Sequence, residues 1–324
     1  MRTGEMKATR DGFGAGLQDL ASRDERVVAL DCDLGRSTRS SATADADPRR
    51  FIDMGISEQD MISTAAGLAS MGKIPFVNSF AVFATGRCFD QIRQQVALPD
   101  ANVKICGSSA GLTQGCDGAT HQAVLDVALM RVLPRMTVIV PADPRQAMQA
   151  VHAAHLHRGP VYLRLSRYET GDFLPPGLPF EIGKAQILQE GRDLAIVGCG
   201  PVLRNVMRAS EILRQRGVKA EIINMHTIKP LDREGVRAIC LRFKHVLSVE
   251  EHSIYGGLGT ALVEAAAELA GPPWQGRIRR HGLRDTFGES ADADTLLRAF
   301  GLDPEGITRE AVALLADDAG GGAR

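Results

Sequence analysis

Several residues that could do chemistry fall directly after short apolar runs. Asp33 and Ser37 follow one such run. Ser57 and Glu58 open a helical pattern after FIDM. Ser109, Asp117 and His121 lie on or beside a glycine-rich stretch, SSAGLTQGCDGATHQ (108–122), and Arg167 ends another run. Carboxyl, hydroxyl, imidazole and guanidinium groups are the ones that hold a polar ligand or move a proton. Phe80 and Phe83 add two rings close together in a chain that is only 5% aromatic.

The elements that must position them can be read from the pattern. Apolar runs at 27–33, 74–80, 103–109, 137–142 and 161–166 predict strands. Helical patterns at 9–22, 57–71, 85–97, 120–132 and 143–157 lie between them. Alternating strands and helices, with strands apolar throughout, predict a parallel sheet covered on both faces. Ligands bind such sheets at the carboxyl ends of the strands, where every residue named above falls. That convergence says more than any single residue.

Taken one at a time, each has a plainer reading. Ser57-Glu58-Gln59-Asp60 also reads as an ordinary helix cap with acids in the first turn. Phe80 and Phe83 also read as core, and His121 as a cap or surface residue. His152, His155 and His157 share helical spacing and read as a solvated face rather than a metal site. Gly198-Cys199-Gly200-Pro201 follows a strand but lacks the third glycine of a dinucleotide fingerprint.

At 324 residues the chain exceeds what one hydrophobic core usually carries, so two domains of roughly 150 residues are expected. A second series of strand patterns at 193–200, 220–226, 245–251 and 277–283 alternates with helical patterns at 202–216, 232–242 and 257–270. Between the two series, YETGDFLPPGLPFEIG (168–183) holds three prolines and reads as part of a linker. The expected organisation is a first domain at 1–170, a linker at 171–189, a second domain at 190–316 and a disordered tail at 317–324. The fold class is α/β, with two doubly wound domains and mainly parallel sheets. Lys plus Arg number 38 against 39 Asp plus Glu, which gives no reason to expect nucleic acid or an acidic membrane. The six cysteines form no Cys-x-x-Cys pair and read as reduced thiols in a cytoplasmic protein without a zinc site. No signal-peptide pattern opens the chain, and no run of about 18 apolar residues occurs.

Three strings in order, MGISEQDMISTAAGLA (54–69), PFVNSFAVFATGRCFDQIR (75–93) and DGATHQAVLDVALMR (117–131), make residues 7–167 resemble the pyrimidine-binding domain of transketolases. Residues 190–315 resemble the transketolase C-terminal domain. Full-length transketolases also have an N-terminal domain, with a Gly-Asp-Gly motif, that holds the diphosphate and its metal. This chain has no Gly-Asp-Gly and begins where the second domain of such an enzyme would begin. The resemblance therefore implies the C-terminal subunit of a split transketolase.

The cofactor so implied is thiamine diphosphate, with Mg2+ held mainly by the partner subunit and no metal ligand on this chain. Glu58 matches the family glutamate that hydrogen-bonds a pyrimidine nitrogen, a role that suits a carboxyl kept protonated in an apolar pocket. Phe80 and Phe83 match the aromatics that pack on the pyrimidine ring, although a frequent third aromatic is replaced by Gly86. Asp33 matches an acid near the cofactor. Asp117 and His121 match residues that contact the hydroxyls of the transferred ketol, and His121 joins Glu58 as a catalytic candidate. Arg10, Ser37 and Arg167 match residues that bind the sugar phosphate, a task that suits the planar guanidinium fork. Two positions depart from the family: Ser109 stands where a substrate-binding His is common, and Cys116 where a Glu is common. Losing an imidazole and a carboxylate at the substrate mouth argues against assuming xylulose 5-phosphate and ribose 5-phosphate, and leaves a modified or unphosphorylated sugar open.

The activity implied is transfer of a two-carbon ketol unit from a ketose to an aldose. The partners implied are an N-terminal-half subunit and a second copy, two of each subunit in all. The nearest enzyme alternative is the beta subunit of a 2-oxo acid dehydrogenase, against which stands Asp-Gly-Ala-Thr-His-Gln. Deoxyxylulose-phosphate synthase is a further relative that carries all three domains on one chain. A non-catalytic paralogue should have lost Glu58, and this chain keeps it.

Overall fold

The computed structural model describes residues 6–270 and 274–316. The tail at 317–324, expected to be disordered, lies outside the described residues. In the first half the strands are β1 (Val27–Asp31), β2 (Phe51–Asp53), β3 (Ile74–Phe80), β4 (Lys104–Ser108), β5 (Thr137–Ile139) and β6 (Val161–Arg164). The second half holds β7 (Gln186–Gln189), β8 (Leu194–Gly198), β9 (Ala220–Asn224), β10 (Thr227–Lys229), β11 (His245–Ser253) and β12 (Arg277–Leu283). One sheet has the order β10-β5-β6-β4-β3-β1-β2 and the other β12-β11-β8-β9-β7. All pairings are parallel except β10 on β5 and β7 on β9. The α/β class with mainly parallel sheets is as the sequence implied.

Helices cover both faces of the first sheet, which is why β1, β4 and β6 are buried along their whole length. On one face Phe13 and Leu17 of the Thr9–Arg23 helix pack with Ala147 and Val151 of the Pro144–Leu156 helix. Gly12 permits this approach, because a Cβ there would lie 1.8 Å from the Pro144 carbonyl oxygen. On the other face Met61, Ile62 and Ala65 of the Glu58–Ser70 helix pack on Leu30, Val77 and Ile105.

Most differences from the sequence reading are long-range in origin. The pattern at 120–132 yields a helix only over Asp126–Val132. Residues before it are held in turns, because the Gln122 side-chain amide donates to the carbonyls of Leu112, Gly115 and Glu289, and Ala110 bridges Ala123. The pattern at 85–97 is helical but includes wide turns, with Leu98 N bonding the Arg93 carbonyl five residues back. Strands β7 and β10 were not read from the sequence, and β7 occupies residues 186–189 of the span read as linker. His152 and His155 do not form a solvated face. They meet Asp19 at 2.9 Å and Asp24 at 3.3 Å, because the two helices pack side by side.

A buried polar hub joins the two halves. Arg164, at the end of β6, donates from Nε to Asp126 at 2.8 Å and from Nη2 to the carbonyls of Ala123 and Glu251 at 2.9 Å each. The Tyr162 hydroxyl donates to the same Asp126 oxygen at 2.6 Å. Glu251 accepts from the Thr113 amide and hydroxyl, which anchors the glycine-rich loop to the second domain. Next to it, Glu250 accepts from the amides of Leu258 and Gly259 in the first turn of the Leu258–Ala267 helix. Burial pushes the Glu250 carboxyl up to about 7, against the pull of those two amides and of Arg164 and Arg280. His252 lies 3.7 Å from the Glu250 carboxylate, and burial lowers its own pKa.

A carboxyl whose folded pKa is raised gives stability that is lost as pH rises from its unfolded value toward its folded one. Between about pH 4.5 and about pH 7 the wild type should therefore lose stability relative to Glu250→Gln. Urea denaturation of both proteins across that window checks this, and parallel pH profiles would refute it.

Candidate functional site

Glu58 is the first residue of its helix and is 3% exposed, so its carboxylate needs partners from neighbouring elements. Arg87 Nη1 donates to its two oxygens at 2.9 and 2.8 Å, and the Ser79 hydroxyl donates to it from β3 at 3.4 Å. Glu58 thus sits in an ion pair and not alone in an apolar pocket, which corrects the setting inferred from the sequence. Phe80 ends β3 and Phe83 opens the following wide turn. Their rings stack with centroids 6.2 Å apart and an interplanar angle of 20°. The Arg87 guanidinium lies over the Phe83 ring at 4.4 Å, a cation–π contact. His121 stands edge-on to Phe83 at 5.3 Å and to Phe80 at 6.2 Å. One contact chain therefore joins Glu58, Arg87, Phe83, Phe80 and His121.

A second group lies at the mouth of a cavity of about 530 Å³ whose wall includes Arg10, Asp117 and Arg167. Arg167 is 3.2 Å from Asp117, and Gln114 also donates to that carboxylate. Arg10 donates to the Ser37 carbonyl at 3.1 Å and to its hydroxyl at 3.4 Å. Ser37 in turn borders a cavity of about 420 Å³ with Asp33 and Asp53. Asp33 is exposed and has φ 62°, and its amide bonds Asp53. No direct contact joins it to Glu58 or the two rings among the described residues. Ser109 is fully buried with φ 54°, and its hydroxyl has no hydrogen-bond partner. Cys116 is the one exposed cysteine, on the same cavity wall as Asp117.

Sequence reasoning missed two residues. Arg87 stands four residues after Phe83, a helical spacing that could have pointed to it. Asp31, inside β1, had no such signal. It accepts from the Leu34 amide and the hydroxyls of Thr38 and Ser40, which shapes the loop carrying Ser37. Burial pushes its pKa up.

The aromatic pair suits one half of thiamine diphosphate. Two half-buried parallel rings beside a buried carboxylate are what a flat, nitrogen-bearing ring would need. No group of three or more His, Cys, Asp or Glu that could hold a metal occurs among the described residues.

Gln122 holds the loop of Asp117 and His121 through three carbonyls. Gln122→Ala should lower stability by about 2 kcal/mol, since its side-chain amide has two N–H groups and each lost bond to a buried group costs about 1 kcal/mol. A change below about 0.5 kcal/mol in urea denaturation would show that the loop is held otherwise.

Both halves of the chain are similar to known proteins. Residues 5–171 match the model of the transketolase pyrimidine binding domain, and residues 183–307 that of the transketolase C-terminal domain. A putative transketolase C-terminal section from Methanocaldococcus jannaschii is 42% identical, over 95% of this chain and 96% of that one. A 6-deoxy-6-sulfo-D-fructose transketolase subunit from a Clostridium species is 40% identical, over 93% and 92%. A solved structure of a split gene transketolase, an inactive β4 tetramer, superposes with a TM-score of 0.87 at 40% identity, over 96% of this chain and 99% of that one.

Proposed function

The chain belongs to the transketolase family, and from that premise we propose that it is the C-terminal subunit of a split transketolase. It transfers a two-carbon ketol unit from a ketose to an aldose, and it works only with a separate subunit that binds the diphosphate and Mg2+. The observation that carries this reading is the adjacency of two half-sites on one edge of a parallel sheet. One is the Glu58–Phe80–Phe83–His121 group, and the other is the Arg10–Asp117–Arg167 cavity mouth.

The family depends on thiamine diphosphate, which when bound supplies the electron sink for the transferred unit. This chain's own residues bind and orient. Phe80 and Phe83 offer the face on which the pyrimidine packs. Glu58 offers a carboxyl to a pyrimidine nitrogen once Arg87 releases it, and Ser79 and the start of its helix keep it in place. His121, held at the ring edges, and Asp117 meet the sugar hydroxyls. A site with buried hydrogen-bonding groups rejects substrates that lack the matching hydroxyl. Arg10 and Arg167, with Ser37, bind the charged end of the sugar. Asp33 stays at the rim near Ser37 and Asp53.

The partner arrangement is two copies of each subunit, with an interface on the order of 2,000–5,000 Å² per contact, the scale of obligate complexes. The M. jannaschii relative, a C-terminal section, and the split-gene structure, an inactive tetramer, both support a missing partner. Five buried free cysteines suit a reducing, cytoplasmic setting. No helix among the described residues is long and apolar enough to cross a membrane.

The deciding experiment is co-expression with the diphosphate-binding subunit, then calorimetric titration with thiamine diphosphate and Mg2+. Cofactor binding by the complex and by neither chain alone is the expected result. A chain that neither pairs nor changes cofactor binding would overturn the reading, as would turnover by this chain alone. In the active complex Glu58→Gln should lower kcat by about 10²–10⁴-fold, the scale of a positioned proton-transfer group. A loss under tenfold would remove Glu58 from that role. Arg167→Ala should raise KM for phosphorylated substrates, and an unchanged KM would put the phosphate elsewhere.

A further inference from the structure

The Gly198-Cys199-Gly200-Pro201 turn is not a dinucleotide site, but it has a definite effect on the molecule. It follows β8, abuts the first domain and leads into the Leu203–Gln215 helix. Gly200 has φ 73°, and a Cβ there would lie 3.0 Å from Val140 of the first domain. Asn205 fixes the same turn of helix by donating to the Leu302 carbonyl. The residue so delivered is Arg204, and it lines the cavity that Arg10 and Arg167 border from the other domain.

Arg204 is half-buried, and its guanidinium makes no hydrogen bond or ion pair among the described residues. Of the acids lining the cavity, three are already engaged, and Glu169 is exposed at its edge. Asp294 accepts from the Tyr168 hydroxyl, Asp292 caps its helix at Thr295, and Asp117 accepts from Gln114 and Arg167. Across the cavity the Nε of Arg10 is buried with no partner. Burial, then Arg39 and Arg167, lower the Arg10 pKa against the pull of Asp11 and Glu169. Two guanidiniums from different domains thus face one cavity with donors unused, beside a third at Arg167. Donors left unused in a half-buried place are satisfied when an acceptor binds, and a tetrahedral oxyanion fits the guanidinium fork.

We propose that Arg204 is a specificity-determining residue, reaching from the second domain to hold, with Arg10 and Arg167, the phosphate or sulfonate end of the sugar substrate. This rests on the transketolase reading above. The anion is then bound across the domain junction, and its recognition depends on both domains.

The test is calorimetric titration of the full chain with inorganic phosphate and, separately, with methanesulfonate, at fixed ionic strength. Wild type, Arg204→Ala and Arg204→Lys are compared. Saturable binding by the wild type is expected, weakened about tenfold in Arg204→Ala and partly restored in Arg204→Lys, which keeps charge without the bidentate fork. The tighter of the two anions identifies the end group. Equal binding by wild type and Arg204→Ala, or no saturable binding by the wild type, overturns the proposal. In the two-subunit complex Arg204→Ala should raise KM for the anionic sugar about tenfold, well beyond its effect on kcat, and leave KM for an uncharged analogue alone. An active complex with KM unmoved sinks the role of Arg204 and spares the transketolase reading. A complex without turnover, whose anion binding still depends on Arg204, sinks the transketolase reading and sustains the anion site.

Discussion

Burying Arg164 at the junction of two sheets leaves a guanidinium to satisfy where water is scarce, and the surrounding structure is arranged to meet that demand. Asp126 supplies the charge, and the carbonyls of Ala123 and Glu251 supply acceptors from opposite sides of the junction. Holding Ala123 there fixes one end of the preceding loop. Holding Glu251 brings its carboxylate to Thr113 at the other end of that loop. His121 and Asp117 lie between those two anchors. The placement of Asp117 and His121 thus depends on an ion pair that lies outside their loop.

Much of this was legible in the sequence, because parallel strands buried on both faces read as continuous apolar runs. All five strands expected in the first half exist, and the polar residues after them fall on the expected edge. What escaped notice depends on partners far away in the chain. The apolar spacing at 120–132 is helical, yet Gln122 is drawn off by a carbonyl at Glu289. Strands β7 and β10 are short and take their stability from β9 and β5. The histidines at 152 and 155 show polar faces in sequence and meet acids on a helix more than a hundred residues earlier. Glu58 was identified by motif, but its setting was not, since Arg87 belongs to another element.

The ion pair of Glu58 with Arg87 bears on how the chain tolerates a buried carboxylate. An unpaired carboxylate at this depth would be costly, and a neighbouring cation offsets that cost until another partner takes its place. Arg87 also covers the Phe83 ring, so one side chain shields both the charged and the aromatic parts of the half-site. A group protected in this way is ordered before any ligand is bound.

Strand β10 has a consequence for how the gene can be divided. It comes from the second half of the chain, but it pairs with β5 at the margin of the first sheet. A fragment cut between the two matched domains would expose β5 as a bare edge, an invitation to pair with another molecule. The boundary suggested by homology is therefore not a boundary of cooperative folding. Any truncation, fusion or circular permutation that treats the two halves as separable modules would have to supply a substitute for three residues, Thr227–Lys229.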